Sequence, residues 1–173
     1  MTALTLSLIL FPALVIWAGI KDATSYTIPN WISATLALAF VPIALLLGLS
    51  LGQIGIAVLV AFAVLFVGIV LFALRWIGGG DAKLLAACAL WLGPPALMMF
   101  LLTTALLGGG LALGLLVLRN RLFVPLVQRA PAWVRRLLTP GADVPYGVAI
   151  AAAALIRFEH SPLLLGLQNP VIN

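Results

Sequence analysis

Asp81 stands in the stretch GGGDAKL (residues 78–84), and Asp22 stands in KDATSYTIPN (residues 21–30). Both stretches are short polar breaks between long apolar runs. Only four acidic residues exist in the whole chain, the other two being Asp143 and Glu159. An ionisable group at membrane depth is expensive, so its presence points to function. Two carboxylates brought close together cannot both ionise easily, and they share one proton. Such a pair can hold a water molecule. The ionised partner accepts the water's proton while the neutral one polarises a peptide carbonyl. That is the chemistry of an aspartic protease. The plain alternative is that an aspartate beside a lysine only marks the end of an apolar span.

The flanking residues favour chemistry. Gly78, Gly79 and Gly80 let the backbone come close to another segment. Asp81 then opens a helix, where its carboxylate meets free backbone N–H groups and the positive end of the helix. A phosphate-binding loop fails on pattern, because GGGDAK lacks the GxxxxGK[ST] spacing. A two-aspartate Mg²⁺ site is a chemically reasonable rival, but no metal or cofactor is expected. Cys88 is the single cysteine. It allows no intrachain disulfide and no cysteine zinc site, and it reads as an inert buried thiol. His160 is expected on the opposite side from the aspartates and is not a candidate ligand.

Composition sets the elements that must position these groups. Hydrophobic residues make up 65% of the 173 and charged residues 8%, against about 25% charged in a soluble domain. Too few charges exist to cover a soluble surface, and the strand alternation of a barrel is absent. Apolar stretches of about twenty residues match a hydrocarbon core about 30 Å thick. The expected fold is therefore all-α: a polytopic membrane protein with about six transmembrane helices, forming one domain over residues 1–173.

The six spans are expected near residues 2–20, 31–49, 54–74, 82–92, 96–118 and from 144 to at least 156. The first lacks a basic n-region and a cleavage site and reads as a retained helix rather than a signal peptide. The fourth and fifth are separated at Gly93-Pro94-Pro95, because proline removes a backbone donor and clashes with the preceding turn. The final residues, SPLLLGLQNPVIN, either continue the last helix or lie at the interface.

With this count, eight of the nine basic residues fall on one side, leaving only Arg157. The positive-inside rule makes that side cytoplasmic. It carries Asp22 and Asp81 together, with the basic loop 119–143 and its Arg119, Arg121, Arg129, Arg135 and Arg136. Phe123 and Trp133 make this loop partly amphipathic, suited to the membrane surface and to anionic lipid. The net charge of +5 thus reports topology, and no nucleic-acid partner is expected. Gly110 and Gly114 have the spacing of a close helix–helix face.

KDATSYTIPN and GGGDAKL resemble the paired motifs of the type IV prepilin peptidases, membrane aspartic proteases with a GxGD motif. Gly78, Gly80 and Asp81 match GxGD, and Lys83 fits the basic residue that follows. Asp22, with Ile28-Pro29-Asn30, matches the first aspartate motif. Residues 143–150, DVPYGVAI, resemble a C-terminal family segment containing Pro145, Tyr146 and Gly147. The resemblance implies that Asp22 and Asp81 are catalytic. It also implies cleavage of the short basic leader of a prepilin or pseudopilin at the cytoplasmic face of the bacterial inner membrane.

Larger members add a cytoplasmic region with paired cysteines linked to N-methylation. This chain resembles instead the short peptidases of tight-adherence or Flp pilus systems, so methyltransferase activity is not expected. Presenilin-like proteases place the first aspartate in a YD motif, which Lys21-Asp22 does not match. Several residues carry two readings. Lys83 is suited to orient a leader, to stabilise an oxyanion or to anchor the loop. Pro145-Tyr146-Gly147 either lines the catalytic chamber or simply starts a helix. Asp143 is expected to cap that helix, and Arg157 to pair with Glu159 or to snorkel. A small transporter using the same aspartates is the rival from another class, but transporters more often hold their acids near the midplane. A catalytically idle assembly factor is a third reading. The oligomeric state is not encoded in any of these features.

Overall fold

A computed structural model describes residues 3–120 and 130–164, and all regular structure among them is helical. The helices are α1 (Ala3–Ser25), α2 (Asn30–Leu46), α3 (Leu51–Ala73), α4 (Gly79–Leu118), α5 (Ala132–Leu137) and α6 (Tyr146–Arg157). A 3₁₀ turn, Phe158–His160, follows α6. Arg121, Arg129 and Phe123 of the basic loop, and the tail beyond residue 164, lie outside the described residues.

The membrane character is visible on the surface. Leu51, Leu59 and Phe66 on α3 are 78%, 69% and 69% exposed. Such a face is incompatible with water and natural in lipid. Serine and glutamine start this helix with a capping box: Ser50 Oγ accepts from the Gln53 N–H, and Gln53 Oε1 accepts from the Ser50 N–H at 2.8 Å.

The expectation of six spans is corrected. Among the described residues, four helical segments are long and apolar enough to cross a membrane: Thr5–Ser25, Leu51–Ala73, Gly79–Leu118 and Tyr146–Leu164. Helix α2 is apolar but has only 17 residues, about 26 Å at 1.5 Å per residue. The fourth and fifth spans form one 40-residue element. The break expected at Gly93-Pro94-Pro95 is present: two helical limbs meet there across a kink, with Gly93 at φ 62° and ψ 179°. The part before the break is about 21 Å long, too short to span a core of about 30 Å. The chain turns back there. Asp81 at the start of α4 shares a cavity with Asp143, and Arg119 at its end donates to the Asp143 carbonyl at 2.8 Å.

Only glycine occupies this region of φ and ψ freely. A Cβ at Gly93 would also lie 2.8 Å from Pro162 Cγ. Gly93→Ala is therefore expected to destabilise the protein by about 1–3 kcal/mol. The check is the thermal midpoint in detergent, and an unchanged midpoint would contradict the assignment of the break to Gly93.

The core holds the turned chain together. Phe11 of α1 stacks on Trp91 of α4 and on Phe158, with ring centroids 5.2 and 4.5 Å away. Trp91 Nε1 donates to the Leu36 carbonyl of α2 at 2.8 Å, in the buried interior. Leu163 is fully buried, so residues 161–164 fold back onto the core after the 3₁₀ turn. Helix α6 packs between α1 and α4. Gly19 permits a close approach, since a Cβ there would lie 3.1 Å from the Ala151 Cβ. The end of α1 and the start of α6 are thereby forced together, one turn from Asp22.

Candidate active site

The last turn of α1 carries Asp22, which is 6% exposed. Its Oδ2 accepts from the Gly147 N–H at 2.7 Å, and the Val148 N–H faces the same carboxylate. The Gly147 N–H is a free donor of the first turn of α6, and the Val148 N–H is shared with the Pro145 carbonyl, to which it donates at 3.2 Å. Pro145, the N-cap residue of α6, supplies no side-chain cap. Asp22 takes that role from another helix, and the partially positive helix start holds its carboxylate in place.

Asp81 is the third residue of α4 after the N-cap Gly78. Its Oδ2 accepts from the Gly78 N–H at 3.2 Å, the reach-back half of a capping box. Its Oδ1 is buried without a hydrogen-bond partner among the described residues. Both aspartates line one cavity of about 860 Å³ with Tyr26, Arg75, Trp76, Gly78, Asp143 and Tyr146. They are close enough to interact electrostatically. An oriented carboxylate pair with one unengaged oxygen, facing a cavity of this size, is a setting in which a water and a peptide can meet. Among the described residues, no three His, Cys, Asp or Glu side chains gather as a metal site would require.

The other sequence-selected residues support this arrangement at different distances. Ile28 is a wedge between the two aspartate segments: Cβ atoms built at Gly80 and Gly147 would lie 3.1 Å from its Cβ and 2.7 Å from its Cδ1. Pro29 starts α2, and Asn30 Oδ1 accepts from Lys83 Nζ at 2.8 Å. Lys83 thus ties the start of α4 to the start of α2. Gly79 packs near the Phe72 ring, with 3.4 Å available to a Cβ. Tyr146 lies in the cavity wall with its ring against Gly108, where a Cβ would approach to 2.5 Å. Pro145 is buried just before it.

Three expectations change. Asp143 does not cap α6: its side chain is exposed, and Asp22 caps instead. Arg157 does not pair with Glu159. Its Nε and Nη2 donate to Thr103 Oγ1 at 3.3 and 3.2 Å, while Glu159 meets His160 Nδ1 at 3.6 Å. The close-packed glycines are not Gly110 and Gly114, which have no described atom within 4 Å of a built Cβ. Close contacts fall instead at other glycines, among them Gly108 against Tyr146 and Gly68 against Ala82.

Tyr26 was overlooked, although it lies within KDATSYTIPN. The signal that marks it, a positive φ in an aromatic residue, is invisible in sequence.

Neither a curated protein nor a solved structure matches the chain. A family model does, over residues 9–113, a segment that contains Asp22, Asp81 and the helices that present them. The match covers more than half of the 173 residues, and the chain, a multi-pass membrane protein, belongs to the type IV leader peptidase family.

Proposed function

We propose that this protein is an aspartic endopeptidase that removes the short basic leader from prepilins or pseudopilins of the tight-adherence or Flp type. The active site faces the cytoplasm at the inner membrane. The supporting observation is the single cavity that receives Asp22 from α1 and Asp81 from α4, each oriented by a backbone N–H. A water between the carboxyl groups gives its proton to the ionised one. The water oxygen bonds to the scissile carbonyl carbon, and the neutral carboxyl polarises the carbonyl oxygen. The leaving nitrogen then takes the proton that the first carboxyl received from water as the peptide bond breaks, and a hydroxyl of the collapsing intermediate returns a proton to the second carboxyl.

Placement of the cavity argues against transport. Its walls come from the end of α1, the end of α3 and the starts of α4 and α6, all at one end of the bundle. A substrate reaches such a site from one side. The cytoplasmic assignment rests on the basic residues Lys21, Arg75, Lys83 and Arg119 around that end.

Vesicles of opposite orientation test both parts together. Inside-out vesicles carrying the protein are expected to shorten an added prepilin, with the new N-terminus read by mass spectrometry. Sealed right-side-out vesicles are expected to leave it intact. Failure of both, with the protein shown to be folded, would overturn the peptidase. Cleavage only by right-side-out vesicles would overturn the orientation.

A further inference from the structure

Tyr26 concentrates two local costs at the wall of the cavity. It ends α1 with φ 52°, in the left-handed region where glycine usually terminates a helix. A bulky residue there is an outlier. Its hydroxyl is shut off from solvent and has no hydrogen-bond partner among the described residues. A buried unpaired donor is destabilising. Glycine would relieve the first cost and phenylalanine the second. Strain and an unmade hydrogen bond in one residue, beside two carboxylates, point toward a role in the site rather than in the fold. The backbone also fixes its register: the Tyr26 N–H donates to the Asp22 carbonyl at 2.9 Å, so residue 26 stands one turn beyond the aspartate.

We propose that Tyr26 is a further catalytic residue, whose phenol O–H donates a hydrogen bond to the carbonyl oxygen of the scissile peptide. The proposal rests on the peptidase function above. Tyr26 lines the cavity wall, and rotation of its ring on substrate binding turns the closed-off hydroxyl to the peptide, which supplies the acceptor it lacks. As water attacks, the carbonyl π pair moves onto oxygen, and a donor aimed there strengthens its bond in the transition state. Tyr26 keeps its own proton. The proton that moves onto the carbonyl oxygen comes from the neutral carboxyl of the aspartate pair. A neutral donor suits this place, because it forms no ion pair that would lock either carboxylate.

The test compares wild type, Tyr26→Phe and Asp81→Asn, purified in detergent, with a prepilin substrate bearing its leader. Tyr26→Phe keeps the ring and the backbone turn and removes only the hydroxyl. It is expected to lower kcat about 100-fold, the effect of losing one oxyanion donor, with KM within about twofold. The thermal midpoint is expected to stay level or rise, since an unpaired buried hydroxyl is gone. Wild-type kcat in Tyr26→Phe would overturn the proposal. So would a loss of kcat that follows a falling midpoint, which marks a structural residue. If Tyr26→Phe is normal while Asp81→Asn is dead, Tyr26 alone fails. If folded wild type cleaves no prepilin, the peptidase function fails and this role falls with it.

Discussion

Asp22→Asn and Asp81→Asn are each expected to abolish leader removal, by at least about 10³-fold, while the protein remains folded in the membrane. Asparagine preserves size and retains one acceptor oxygen. It can therefore still receive the Gly147 N–H at position 22, or the Gly78 N–H at position 81, where the aspartates now accept at 2.7 and 3.2 Å. What it cannot do is take a proton from water. Groups that act as one unit lose nearly everything with the first deletion, so the double variant is expected to be no slower than either single one. Asp22→Ala is a different experiment: it also strips the α6 cap, at about 1 kcal/mol, and confounds folding with chemistry. Asp143→Asn is expected to be much milder, since that side chain, although in the cavity wall, is exposed and holds no helix start. The measurement is the processed fraction of prepilin over time at matched protein levels. Near-normal cleavage by folded Asp81→Asn would defeat the mechanism. A proton flux carried by wild type and lost in that variant would favour the transporter.

The aspartates were legible because charge is conspicuous in so apolar a chain, and Gly78 to Gly80 marked a close approach beside one of them. Their orientation was not. Asp22 binds a backbone N–H 125 residues away, and such a contact leaves no local trace. For the same reason the capping of α6 was assigned to nearby Asp143 instead of to distant Asp22. Spacing also misled at the glycines. Gly110 and Gly114 share a helix face that meets no described neighbour, whereas Gly108 lies under Tyr146. A small residue signals room for contact, but only the partner's position decides whether contact occurs. The span count failed on length. Composition locates apolar runs well, but α2 is a little short, and the break at Gly93 yields a first limb of α4 that does not by itself cross the core.

Gly147→Ala tests the part of the site that sequence did not disclose. A Cβ at residue 147 would lie 2.7 Å from Ile28 Cδ1, 2.8 Å from Asp22 Oδ2 and 3.0 Å from Asp22 Cβ. The first contact is with the tip of a flexible side chain. The third is with the root of the aspartate, so rotation of the carboxylate cannot relieve it. The α1 end and the α6 start must separate, and Asp22 moves with α1. The backbone shift is a few tenths of an ångström, but the Asp22 carboxylate must also turn from the Gly147 N–H, and misplacing a reacting group costs up to about 10²-fold in rate. Gly147→Ala is therefore expected to lower kcat by up to about 100-fold, although Asp22 and Asp81 are both intact. Adding Ile28→Val removes Cδ1 and with it the 2.7 Å clash. The double variant is expected to regain thermal stability but not turnover, because both clashes with Asp22 remain. Gly110→Ala is the matched control. A Cβ there meets no described atom, and alanine in place of a helical glycine is expected to stabilise by about 0.5–1 kcal/mol with full activity. Steady-state cleavage and thermal midpoints on the same preparations separate these outcomes. Full turnover in folded Gly147→Ala would mean that the Asp22–Gly147 contact does not position the carboxylate for catalysis. Recovery of turnover by Ile28→Val would place the damage at the wedge between the helices, not at the aspartate.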